Sequence, residues 1–142
     1  MVQINTSLST LLHKHGYRAT AARQSVFGAL EQSQQPLFMH EITKRCGTID
    51  RTSIYRTLLL YERLGIVQTI QTGFKKRYEL AGPFTAHHHH FICDHCGALT
   101  DIHTPNLEHL ISDLSREYAF RVNTHHFELH GSCKNCTYIV QQ

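Results

Sequence analysis

Two short motifs, Cys93-Asp94-His95-Cys96 and Cys133-Lys134-Asn135-Cys136, restrict the possible folds of this chain more than any other feature. A CxxC turn brings two thiolates to one side of a tight loop. Two such turns complete a tetrahedral all-thiolate site with Zn–S distances of about 2.3 Å. Four thiolates leave no open coordination position, so the ion they hold is structural. The rival is a redox CxxC of thioredoxin type, but two pairs in a small domain without a βαβ pattern favour zinc. The 36 residues between the pairs exceed a compact zinc ribbon. The intervening segment must therefore fold as part of the same domain.

A length of 142 residues suits one ordinary domain or two small ones. Hydrophobic residues at 41% and charged residues at 18% predict a folded chain. No apolar run approaches the roughly 20 residues needed to span a bilayer, so no membrane partner is expected. The opening MVQINTSLSTLLHKHG lacks a basic segment followed by an apolar stretch. No secretory signal is expected, and the cytoplasm is the predicted compartment. In a reducing cytosol, closely spaced cysteines serve metals rather than disulfides.

The net charge of +3 hides a division. Residues 1–80 hold 11 Lys+Arg against 5 Asp+Glu, whereas residues 81–142 hold 3 against 6. Ten of the 13 histidines lie between His87 and His130. A basic half without ligands thus precedes an acidic half full of them. The Gly-Pro stretch Ala81–Ala86 breaks regular structure between them. Two domains, 1–80 and 87–142, are predicted with a hinge at 81–86.

In the first half, Leu8, Leu11, Leu12 and His15 follow a helical spacing that Gly16 stops. Thr20 can cap a second helix with Ala22, Val26, Ala29 and Leu30 on one face. A short third helix fits Met39 to Cys46, with Ile42 and Cys46 inward, and Gly47 ends it. Asp50 or Thr52 can cap a fourth, running to about Leu64, with Ile54, Leu58 and Tyr61 buried. Two strand-like runs, 66–70 and 75–80, flank a turn containing Gly73. Helices followed by a hairpin make a winged helix-turn-helix, with helix 51–64 in the recognition position. Its predicted exposed face carries Arg51, Thr52, Ser53, Tyr55, Arg56 and Thr57, groups suited to phosphates and base edges. Arg18 can enter a minor groove, and Lys75, Lys76 and Arg77 can follow phosphates.

The run His87-His88-His89-His90 leads into Phe91-Ile92-Cys93. If it is extended, His87 and His89 point one way and His88 and His90 the other. One strand can then feed two metal sites. Further donors are Glu79, Asp101, His103, Glu108, His109, His125, His126 and His130. Thr104-Pro105 opens a helix with the apolar stripe Leu107, Ile111, Leu114 and Tyr118. Phe120 to His130 alternates like a strand.

These motifs together resemble the ferric uptake regulator family of dimeric, metal-responsive repressors. The resemblance covers nearly the whole chain. It rests on Gly16-Tyr17-Arg18-Ala19-Thr20 with Arg23, on Ser53-Ile54-Tyr55-Arg56-Thr57-Leu58, on HHHHFICDHCG from His87, and on HGSCKNC from His130. It implies an α+β fold: an N-terminal winged helix and a C-terminal α/β dimerisation domain. It implies structural zinc on Cys93, Cys96, Cys133 and Cys136. A second site falls on His87, His89, Glu108 and His125, and a sensing site at the hinge on Glu79, His88 and His90. Arg18, Tyr55 and Arg56 should touch operator DNA. Many relatives add a histidine before the third helix, where this chain has Pro36, with His40 nearby. The peroxide-sensing branch depends on that histidine together with a carboxylate at Asp101, and is disfavoured. Gln68 and Ala81 stand where some zinc sensors have a hinge cysteine or aspartate. The four-histidine run resembles the zinc uptake regulator branch, with Fe2+ as the alternative to Zn2+.

The reading is a zinc-sensing DNA-binding homodimer controlling metal-uptake genes, with no catalytic residues and no small-molecule substrate. A zinc hydrolase would need an open metal position beside a general base. A metal buffer would have no use for Arg56.

Overall fold

Thr20 and Asp50 set the geometry of the first half by capping its two long helices. Thr20 Oγ1 accepts from the Arg23 N–H at 3.4 Å, and Asp50 Oδ1 accepts from the Ser53 N–H at 2.8 Å. The computed structural model describes residues 7–140; the outer bounds of the predicted domains, residues 1 and 142, lie outside the described residues. The chain divides into two compact units, Met1–Ala86 and His87–Gln142.

The first unit contains α1 (Leu8–Lys14), α2 (Ala21–Glu31), β1 (Leu37–Phe38), α3 (Met39–Arg45), α4 (Arg51–Arg63), β2 (Val67–Thr72) and β3 (Lys75–Leu80). β2 and β3 form an antiparallel hairpin, and β1 adds to its other edge through Leu37↔Tyr78 and Phe38↔Arg77. Two residues are too short to show a period of two, so β1 escapes the sequence reading. Leu12, Val26, Ile42, Ile54, Leu58, Tyr61 and Ile66 build the core, and Cys46 is buried among them. The Tyr61 hydroxyl donates to the Arg23 carbonyl at 2.8 Å, tying α4 to α2. Tyr61→Phe should keep the ring's packing and lose that bond, costing about 1 kcal/mol in chemical denaturation.

Segment 81–86 belongs to the first unit. Gly82–Phe84 forms a single 3-10 turn, and Phe84 packs edge-on against Phe27 with centroids 4.9 Å apart. Gly82 has φ +61°, and a Cβ there would stand 2.9 Å from the Gly65 carbonyl oxygen. Only glycine fits that approach.

The second unit contains β4 (His89–Cys93), β5 (Leu99–Ile102), α5 (Pro105–Glu117), β6 (Glu128–Gly131) and α6 (Lys134–Val140). β4 is central, antiparallel to β5 and parallel to β6. The strand predicted over 120–130 shrinks to β6. Alternation alone does not make a strand; a ladder partner is required, and among the described residues of this run only 128–131 pair with β4. Of the predicted apolar stripe of α5, Leu107 and Ile111 are half-buried, whereas Leu114 and Tyr118 are 44% and 72% exposed; Leu110 beside them is 53% exposed and Phe120 70%.

Candidate metal centres and nucleic-acid interface

Cys93 ends β4 opposite Gly131 of β6, so the parallel pairing brings the two CxxC turns together. The four sulfurs lie within 4.8 Å of one another. Cys96 Sγ and Cys133 Sγ are 3.7 Å apart, far beyond a disulfide bond. A tetrahedron of Zn–S bonds near 2.3 Å has edges of about 3.8 Å, so the donors fit one zinc ion. The Cys133 N–H approaches Cys93 Sγ at 3.3 Å; with the Cys96 N–H it holds the Cys93 thiol down to about 6. Cys136 is pushed up to about 12, first by its contact with the Cys133 side chain and then by desolvation. One thiolate is thus stabilised while its neighbour resists ionisation. A bound dication would reverse that resistance and expel the remaining protons.

The alternation of β4 sorts the histidines. On one face, Glu108 from the first turn of α5 reaches His89 at 2.9 Å, and His87 and His125 at 3.3 Å each. His87 and His125 Nε2 atoms stand 2.8 Å apart. The Glu108 carboxyl is held below its usual range, first by its hydrogen bond with His89 and then by that with His125. Desolvation lowers His87 from its ordinary value. An ionised Glu108 carboxylate beside an imidazole, His87, that resists protonation suits a bound cation. On the other face, the His88 and His90 rings stand 4.8 Å apart, and His90 is buried at 3% exposure.

Other sequence candidates lie elsewhere. His130 bridges Asp94 at 3.2 Å and Glu128 at 3.3 Å, and the Asp94 bond, followed by the Glu128 bond, raises its pKa. His40 stacks on Phe38 at 5.7 Å, and Pro36 is buried. In the first unit, Glu79 accepts a hydrogen bond from its cross-strand neighbour Gln68. His109 and His126 are exposed.

On α4, Arg51, Thr52, Tyr55 and Arg56 are exposed, and so is Arg18 ahead of α2. Thr57 corrects the sequence reading: it is buried at 5% exposure. Three residues beyond Ile54 on a helix lies the same inward face. Ser53 is half-buried, and its hydroxyl donates to Asp50 at 2.6 Å. A concavity of about 320 Å³ opens beside this face, lined by Tyr17, Thr20, Arg23, Ser53, Arg56 and Arg63 among others. The Arg23 and Arg63 guanidiniums both approach the Tyr17 ring, 5.3 and 6.0 Å from its centroid. Arg63 donates to the Tyr17 hydroxyl at 2.8 Å, and Arg23 to the Arg18 carbonyl at 2.6 Å. No carboxylate lines the concavity. Its positive potential suits phosphate, although Tyr17, Arg23 and Arg63 do not figure among the DNA-facing residues predicted from sequence. Arg63 is 46 residues from Tyr17, a pairing no local pattern reveals.

The profile of the ferric uptake regulator family matches residues 14–130. The chain belongs to that family. Its residues are 30% identical over 132 positions to the ferric uptake regulation protein of Bacillus subtilis, covering 88% of this chain and 89% of that one. They are also 30% identical over 132 positions to the peroxide-responsive repressor PerR of Staphylococcus saprophyticus, covering 89% and 87%. The structure of the Helicobacter pylori ferric uptake regulator, described as having three functional metal-binding sites, superposes with a TM-score of 0.73 at 26% identity, covering 89% of this chain and 86% of that one. As a ferric uptake regulator family member, the chain is a metal-responsive transcription regulator and not an enzyme. The α+β architecture of helices and small sheets is the family's, with an N-terminal DNA-binding and a C-terminal dimerisation domain.

Proposed function

We propose that this regulator is a cytoplasmic homodimer that represses metal-uptake genes by binding operator DNA when zinc is plentiful. Its exposed α4 residues Arg51, Thr52, Tyr55 and Arg56 read the duplex, and Arg18 and the basic concavity hold phosphates. The uncovered apolar face of α5 supports the dimer, because a second copy would bury Leu110, Leu114 and Tyr118. Two recognition helices related by a twofold axis match half-sites about 34 Å apart.

Three roles are assigned to metal. Cys93, Cys96, Cys133 and Cys136 hold structural zinc. His87, His89, Glu108 and His125 hold a second ion inside the dimerisation domain. Glu79 just before segment 81–86, and His88 and His90 just after it, share the sensed ion. A shared ion restricts the freedom between the two units. Without it only a fraction of conformers fit DNA, and apparent affinity falls by that fraction. The family supports repression rather than enzymatic chemistry, and the donor set supports zinc. The observation that carries the zinc reading is the imidazole-rich β4 run: His88 and His90 stand 4.8 Å apart on the sensing face, and on the other face three imidazoles surround the single carboxylate Glu108. Ferrous iron is the second reading, favoured by the names of the relatives in Bacillus and Helicobacter.

Titrating operator binding against buffered zinc and ferrous iron, with the cysteine zinc in place, separates the two. Zinc outbinds ferrous iron at most nitrogen-rich sites, so affinity for the ion is not the readout; operator occupancy is. Occupancy with saturating zinc and none with saturating ferrous iron is expected. The opposite pattern overturns the zinc reading.

A further inference from the structure

We propose that Arg63, held by the Tyr17 hydroxyl, grips a backbone phosphate of the duplex that α4 reads, with Tyr17 as the positioning residue for that contact. This rests on the reading that α4 binds operator DNA, and adds a residue at the end of that helix which the sequence does not single out.

The charges around the concavity carry the argument. Arg23, Arg56 and Arg63 line it, and no Asp or Glu does. Arg23 and Arg63 both lean on one neutral ring, that of Tyr17. Their side-chain hydrogen bonds go to neutral oxygens. Arg63 Nη2 donates to the Tyr17 hydroxyl at 2.8 Å, and Arg23 Nη1 to the Arg18 carbonyl at 2.6 Å. Such partners orient a guanidinium without cancelling its charge. A guanidinium has five N–H groups, so one bond to a phenol still leaves a fork for the two outer oxygens of a phosphodiester.

The two arginines differ in what else they do. Arg23 is half-buried in the first turn of α2, and its own carbonyl accepts from Tyr61. It belongs to the framework. Arg63 is exposed and is the last residue of α4. A cation in the last turn also complements the helix dipole. That accounts for the charge, but not for a hydrogen bond that aims it from 46 residues away.

The length of α4 points to DNA rather than to a free anion. Its 13 residues run about 20 Å, against a major groove about 12 Å wide. A helix that long, lying across the groove, cannot keep both ends between the backbones. The cation at its C-terminal end then meets phosphate rather than a base edge. A phosphate contact carries no sequence information, but it fixes the register in which Tyr55 and Arg56 meet the bases.

The test uses the full-length, zinc-loaded protein with an operator duplex and a scrambled duplex, each across a range of salt. Arg63→Ala should weaken both duplexes alike, by roughly 10-fold, and reduce the slope of log affinity against log salt by about 0.9. Arg63→Lys should restore the slope and only part of the affinity, because an ammonium lacks the fork. Tyr17→Phe keeps the ring and removes the acceptor. It should weaken binding about 5-fold in the parent and leave the Arg63→Ala protein unchanged. Melting temperatures should stay near the parent's throughout. If Arg63→Ala keeps the affinity and slope of a parent that binds the operator, the phosphate contact falls and the DNA reading survives. If the parent shows no salt-dependent duplex binding, both fall. A loss confined to the operator would make Arg63 a base contact and overturn the proposal. Equal losses from Tyr17→Phe in both backgrounds would remove Tyr17 from the contact. Inorganic phosphate that stabilises the parent but not Arg63→Ala, with equal salt slopes on DNA, would assign the concavity to the free anion.

Discussion

Cys93→Ser should strip the second unit of its fold. The protein is expected to lose one zinc per chain by metal analysis, to lose the dimer in sedimentation, and to lose operator binding with it. Cys93 closes β4 opposite Gly131, while Cys133 and Cys136 follow β6. The two CxxC turns are therefore the clamp on the parallel edge of a three-stranded sheet. The unit has 56 residues, and α5 buries none of its own side chains among the described residues. A core of that size rarely supplies more than about 3–5 kcal/mol. Structural zinc in small domains contributes on the order of 10 kcal/mol. The metal term exceeds everything else holding the unit, so removing one ligand cannot be absorbed locally. A strong chelator at neutral pH should reproduce the effect, and acid should assist it as protons compete for the thiolates. A Cys93→Ser protein that kept its dimer and melting temperature would show that the four cysteines are not structural.

The double substitution His88→Ala, His90→Ala should abolish metal control while leaving the fold intact. Wild-type operator affinity is expected to rise by roughly 5–150-fold on metal loading, the usual span of allosteric coupling. In the variant the apo and metal-treated proteins should bind operator alike, at the weaker affinity. By reciprocity, operator DNA should tighten the sensed ion in the wild type by the same factor. The variant should keep its cysteine zinc, because neither histidine contributes to that site. A gel-shift titration of both proteins across buffered free zinc decides the matter. A full metal response in the variant would mean that the sensed ion sits elsewhere, with the Glu108 cluster next in line.

The first unit was readable because its signals are local. Thr20 and Asp50 announce their helices, and the stripe of Ile54, Leu58 and Tyr61 needs only a period of 3.6. The alternation of four histidines on two faces needs only a period of two. Thr57 was misread because a hydroxyl suggests a surface, whereas its position on α4 places it inward. The run from Phe120 to His130 carried the period of a strand without saying which part would find a partner.

The amino-acid order alone determined which side chains share a helix face or a strand face, and that four thiols arrive as two pairs. Those properties follow from backbone periods that any stretch of chain obeys. Only the folded molecule decided which faces meet: Glu108 against three imidazoles, Arg63 against Tyr17, Asp101 across from His90. Such meetings depend on strand register and helix packing. One residue of slip in β4 against β5 would trade one histidine set for the other.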